Sequence, residues 1–204
     1  MVNTFDNHFA IIVGIDNYGQ SSISSLQSAQ KDASDLHDYL TKFGGYKTDN
    51  VKLITGDKAT KHTIDTCIDE YKGKFTNDST LLFYFSGHGS NLSGNFILPL
   101  YNFNKNAEVS FFNSEELIKL SDGGFDDVFV MVPVPALFTM AEKICREDGC
   151  VNFFAGPAIT LLIASLMSCI VMIFLSSLAA RIAASLSIFS MSAPVKPTVV
   201  CATL

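Results

Sequence analysis

The sequence has no acidic residue after Asp148, no charge of either sign from Gly149 to Ala180, and only Arg181 and Lys196 as charges beyond that. Setting those two aside leaves 12 basic and 20 acidic side chains in residues 1–148, a net of −8. No basic stripe is present, which excludes the electrostatic footprint that nucleic acid requires. The five cysteines (Cys67, Cys145, Cys150, Cys169, Cys201) are odd in number and lack paired spacing. They indicate neither a disulfide framework nor a zinc site. Met1 to His8 lacks a basic start followed by an apolar run, so no secretory signal is expected. The 204 residues suffice for one domain of ordinary size with a real core.

The second half carries the long apolar stretch, from Ala158-Ile159-Thr160-Leu161-Leu162 to Ile170-Val171-Met172-Ile173-Phe174-Leu175. About 20 such residues cross a bilayer as a helix. The expectation is a linker over 133–152, a transmembrane helix over 153–180 and a short tail over 181–204, with the folded domain tail-anchored on the cytoplasmic side of a membrane. A buried core helix is the competing reading. Lys143 and Arg146 precede the stretch and Arg181 and Lys196 follow it, so the positive-inside rule sets no orientation.

The first half alternates strand and helix signals. Phe9 to Ile15 is apolar and rich in β-branched residues, then breaks at Asp16-Asn17-Tyr18-Gly19, as a buried strand followed by a loop does. Leu26, Ala29, Ala33, Leu36 and Leu40 fall at helical spacing before the stop at Gly44-Gly45. Val51 to Ile54 is a short strand, and Thr60 caps a second helix through Ile64, Ile68 and Tyr71. Leu81-Leu82-Phe83-Tyr84-Phe85 is a third buried strand, ending at Ser86-Gly87-His88-Gly89. Asn95 to Leu98 is extended, Asn113 to Glu116 reads as a capping box, and Asp127 to Val132 is a fourth strand. This order predicts a parallel sheet with helices on both faces. Chemistry in such sheets sits at the carboxyl ends of the strands, where His88 falls. A histidine in a strand-end turn also serves as a capping or surface residue; here two glycines frame it, and glycine lets the backbone turn sharply and a substrate approach main-chain N–H groups.

The order Ala10-Ile11-Ile12-Val13-Gly14-Ile15-Asp16-Asn17-Tyr18, then Gln30-Lys31-Asp32-Ala33, then Ser86-Gly87-His88-Gly89 resembles the caspase and metacaspase-like cysteine peptidases over roughly residues 8–132. The resemblance implies a three-layer α/β caspase-like (caspase-hemoglobinase) fold with a mostly parallel sheet, in a peptidase domain over 1–132 that hydrolyses peptide bonds through a Cys-His dyad. It implies His88 as the base that activates the thiol and protonates the leaving amine, and Gly89 as an oxyanion-hole N–H. It matches Asp32 to an acidic wall of a pocket for arginine or lysine before the cut, although an Asp there also suits the helix dipole. A peptide or protein is the implied substrate. The dyad needs no cofactor and no metal, and no ligand cluster for calcium stands in the sequence.

The pattern breaks where the family carries Asp-x-Cys, for this chain reads Pro133-Val134-Pro135. Asp148-Gly149-Cys150 repeats the spacing, which makes Cys150 a substitute candidate, although the residues before it are charged. Cys145 and Cys150 also read as ordinary cysteines beside a membrane, open to palmitoylation. Strands that follow the nucleophile in the family are missing from the pattern, so the sheet is expected to stop after its fourth strand. Its open edge would then call for cover by a homodimer, a heterodimer or the membrane. Two functions follow: a cysteine endopeptidase, or a membrane-tethered, inactive module that binds substrates or partner peptidases.

Overall fold

The computed structural model describes residues 5–19, 22–120, 124–130, 135–153 and 169–174. The apolar run after His8 forms β1 (His8–Gly14), with every residue from Phe9 onward buried. β2 (Val51–Thr55) and β3 (Thr80–Gly87) flank it in parallel, so that Ile12 stands opposite both Leu53 and Tyr84. Successive side chains of a strand point to opposite faces. Gly14 abuts Ala33 of α1 (Ala29–Lys42), whereas Phe9 meets Tyr71 of α2 (Lys61–Lys72), ring centroids 4.9 Å apart. Positions 9 and 14 differ by an odd number, so the two helices cover opposite faces and β1 needs apolar residues throughout.

Local chemistry sets the ends of these elements. The α1 stripe buries Ala29, Ala33 and Leu40, and the helix closes at Gly44-Gly45, where Gly45 takes φ +77°. Thr60 caps α2 as expected, its hydroxyl accepting the Thr63 N–H at 3.3 Å. After β3 a small antiparallel sheet of β4 (Ser90–Leu92), β5 (Asn95–Pro99) and β6 (Phe111–Phe112) leads into α3 (Ser114–Leu120). The Asn113 side-chain oxygen accepts the Glu116 N–H at 2.9 Å and opens that helix.

The next segments depart from the expectations above. β7 (Phe125–Val130) is followed by α4 (Pro135–Ile144) and by β8 (Cys145–Phe153), which runs parallel to β7 with Asp127 opposite Cys150. The expected linker over 133–152 is therefore helix and strand where it is described. Leu137, Met140, Ala141 and Ile144 recur at helical spacing and are buried. The charges that argued against a strand are tolerated because β8 is an edge strand: Arg146 and Glu147 are exposed, and Arg146 pairs with Asp126.

The helix expected over 153–180 is not shown. Within it, Cys169–Phe174 forms β9, antiparallel to β3 on one side and to β7 on the other. An apolar run rich in β-branched residues fits a central strand as well as a helix, and periodicity does not separate them. Residues 154–168 and 175–204 lie outside the described residues, and no described helix is long and apolar enough to cross a membrane. Among the described residues the sheet does not stop after four strands but has six, in the order β2-β1-β3-β9-β7-β8.

Candidate active site

His88 follows directly on β3, at the carboxyl edge of the sheet, and is only 7 % exposed. Its Nε2 lies 2.8 Å from the Ser24 carbonyl. A carbonyl oxygen only accepts, so this bond assigns the ring proton to Nε2 and leaves Nδ1 as the basic nitrogen. The His88 backbone N–H donates to the Tyr18 hydroxyl at 2.6 Å, and the two rings lie 5.4 Å apart. Both anchors come from the loop that joins β1 to α1, so the histidine is oriented by a segment some 70 residues away in sequence. In the sequence Tyr18 stands out only as part of a motif, and Ser24 does not stand out at all; a backbone carbonyl leaves no signature in residue type.

The framing glycines serve close packing more than turning. A Cβ on Gly87 would stand 2.5 Å from the Tyr18 hydroxyl and 2.9 Å from the Phe85 ring, and one on Gly89 would collide with the Phe96 ring. Neither glycine is among those with positive φ. Gly89 carries the first N–H beyond the histidine, between β3 and β4.

The same loop ties α1 to the site. Asp16 accepts the Ala29 N–H at 2.8 Å and, more weakly, the Gln30 N–H at 3.4 Å, which satisfies donors left open at the helix start. Asp32 is half-buried in the first turn of α1. Burial pushes its carboxyl above the ordinary range, with Lys31 opposing and Asp35 and Asp16 adding to the rise. The loop thus holds His88 directly and, through Asp16, the start of the helix that carries Asp32; Gly89 follows His88 in the chain. An open cleft of about 730 Å³ borders that loop at Gly19 and Ser22 and has Tyr101, Phe103 and Lys105 on its other wall. Lys105 makes this cleft a poor seat for a basic side chain.

Cys150 is not brought to the histidine. It lies on β8, three strands from β3 in the sheet order, which is about 14 Å at the usual strand spacing. Through β7 and β9 its register level is that of Leu82, six residues short of His88 and so roughly 20 Å back along the strands. Burial, with smaller contributions from Cys150 and Asp127, pushes the Cys145 thiol up to about 11. Burial also raises Cys150 and Cys67. Thiols held protonated in this way are poor nucleophiles. The family's nucleophile position at Pro133 lies outside the described residues. No group of three potential metal ligands occurs among the described residues.

The caspase domain matches residues 7–131, more than half of the chain. The chain belongs to the caspase-domain family. Metacaspase-1 of Yarrowia lipolytica is 34 % identical over 87 residues, covering 39 % of this chain and 18 % of that protein. Shorter stretches match two bacterial proteins. The uncharacterized protein YggP of Escherichia coli is 61 % identical over 36 residues, 18 % of this chain and 8 % of that one. The L-sorbose 1-phosphate reductase of Klebsiella pneumoniae is 54 % identical over 44 residues, 21 % of this chain and 11 % of that one. This chain spans less than a fifth of the length of each of these relatives. A match of 36 or 44 residues is about the size of a single βαβ unit, too little to carry the activity of a whole enzyme. The caspase match ends one residue before Val132-Pro133, the junction at which the sequence leaves the family pattern.

Proposed function

We propose that this chain is a cysteine-type endopeptidase that cleaves after arginine or lysine. The observation that carries the reading is the setting of His88. It stands at the carboxyl end of a central strand, with its proton held at Nε2 by Ser24 and its basic nitrogen at Nδ1. A histidine so oriented takes a thiol proton and returns it to the leaving amine. Preference for a basic residue before the cut rests on Asp32, the carboxylate beside this loop.

Hydrolysis of fluorogenic peptides by the full chain tests the proposal, with Arg, Lys or Asp before the cut and with wild type set against His88→Ala. Turnover of the Arg and Lys peptides that disappears in His88→Ala is expected. Turnover equal in the two proteins, or none in either, overturns it.

A second reading is favoured by Pro133-Val134-Pro135, where the family pattern places its thiol: a module that binds basic peptides without cutting them. It predicts peptide binding that weakens in Asp32→Asn, no turnover, and indifference to His88→Ala in any chemical step.

A further inference from the structure

We propose that Cys145 and Cys150 form a reversible dithiol/disulfide pair, a redox site that goes beyond the peptidase reading and does not depend on it. Register brings the two together. Phe125 pairs with Cys145 and Asp127 with Cys150, so two steps along β7 match five along β8. Five extended steps cover about 16 Å, whereas two cover about 6.6 Å. Arg146 to Gly149 therefore loop out of the ladder. The two cysteine Cα atoms are left roughly 6.6 Å apart, inside the span of about 4.4–6.8 Å that a disulfide bridges.

Their side chains share a face of the sheet. Paired residues of neighbouring strands point to the same side, and positions 125 and 127 differ by two. Both cysteines are half-buried against the core. The Cys145 sulfur lies on Gly149, where an added Cβ would stand 2.6 Å from Sγ. That sulfur thus already covers the residue before Cys150, and a glycine there leaves room for it. The other described cysteines do not compete for the bond. Cys67 belongs to α2. Cys169 lies across β7 on β9, five residues along from Phe174, the partner of Asp127.

The oxidant is a small disulfide, for which oxidised glutathione serves. One cysteine sulfur loses its proton and bonds to a glutathione sulfur, and the glutathione S–S bond breaks to release the first thiol. The second cysteine sulfur loses its proton and displaces the remaining glutathione from the first. The two protein thiols give up two electrons and two protons, and one glutathione disulfide becomes two thiols. Burial raises both cysteine pKa values. That slows each attack, and it also makes either sulfur a slow leaving group when the bond is reduced. The bond ties the first residue of β8 to the point where the strand rejoins the ladder, and so pins this loop at the edge of the sheet.

The test equilibrates the full chain in glutathione redox buffers of stepped ratio, approached from the reduced and from the oxidised side. Free thiols are then blocked by alkylation and the peptides mapped by mass spectrometry. Trypsin cuts after Lys143 and Arg146, so the bond holds Ile144-Cys145-Arg146 to the peptide that begins at Glu147. Two cysteines this close in sequence also join in an unfolded chain, so the same titration in urea is the reference. The linked peptides are expected from both directions, with an effective concentration of the pair, read from the glutathione midpoint, at least tenfold higher in the native chain than in urea. Cys145→Ser and Cys150→Ser are each expected to abolish the linkage. Mapping on the wild type needs no variant to fold. A native midpoint no higher than that in urea overturns the proposal. So does alkylation of both cysteines in the most oxidising buffer, or a bond from either of them to another cysteine or to a second chain.

Discussion

Gly87→Ala is the substitution in which packing and the site's geometry are most tightly joined. The added Cβ would stand 2.5 Å from the Tyr18 hydroxyl and 2.9 Å from two carbons of the Phe85 ring, against about 3.5–4 Å for comfortable contact. Tyr18 is 3 % exposed and Phe85 fully buried, so neither has open space to move into. If Tyr18 retreats by about 1 Å, its 2.6 Å bond to the His88 N–H passes the length at which a hydrogen bond still counts. Overpacking costs about 1–3 kcal/mol, and a buried N–H left without its acceptor adds about 1–2 kcal/mol. Together they predict a loss of about 2–5 kcal/mol in urea unfolding of the full chain. A double-mutant cycle with Tyr18→Phe isolates the cause. Without the hydroxyl the alanine methyl keeps only its Phe85 clash, so Gly87→Ala costs about 1 kcal/mol less in that background. A Gly87→Ala protein within about 0.5 kcal/mol of wild type would refute the reasoning, as would costs that add within about that margin.

Asp16→Ala removes the side-chain acceptor of the Ala29 N–H at the start of α1 and is expected to lower stability by about 1 kcal/mol, with Asp16→Asn nearer to wild type; thermal unfolding decides. His8 is held neutral, burial lowering its pKa below the ordinary 6.5 against a smaller opposing effect of its bond to the Asn7 backbone. The unfolded chain therefore binds the extra proton first. The contribution of His8 is fully present above about pH 6.5 and is lost as pH falls toward the lower folded-state value. The stability difference between wild type and His8→Gln, measured across that window, should shrink on acidification, and a difference that grows contradicts the burial argument. Cys145, with its thiol pushed up to about 11, is expected to be alkylated slowly at pH 8 and progressively faster toward pH 11. Labelling at pH 8 as fast as a free cysteine would show that the site is more open than described.

Much of the first half is legible in the amino-acid sequence. β1, α1, β2, α2 and β3 follow from apolar runs of strand length, a helical stripe and caps whose mechanisms are local: the Thr60 hydroxyl on the Thr63 N–H and the Asn113 side chain on the Glu116 N–H. Asp32 and His88 are visible because charge and imidazole chemistry belong to residue type. After β7 the same signals mislead. The charged residues before Cys150 read as a linker because an edge strand tolerates charge that a central strand does not. The apolar run containing Cys169–Phe174 reads as a membrane helix because hydrophobicity records burial without saying in what medium or conformation.

Local pattern and residue identity are enough to establish that residues 7–131 carry a caspase domain and that a histidine stands at the end of its third strand. Neither fact depends on where distant segments of the chain come to lie. The tautomer of His88 and the lack of room for a side chain at Gly87 and Gly89 depend on the tertiary arrangement. Ser24, Tyr18 and Phe96 meet this strand end from separations of 7 to 70 positions, and only register and packing bring such residues to one place.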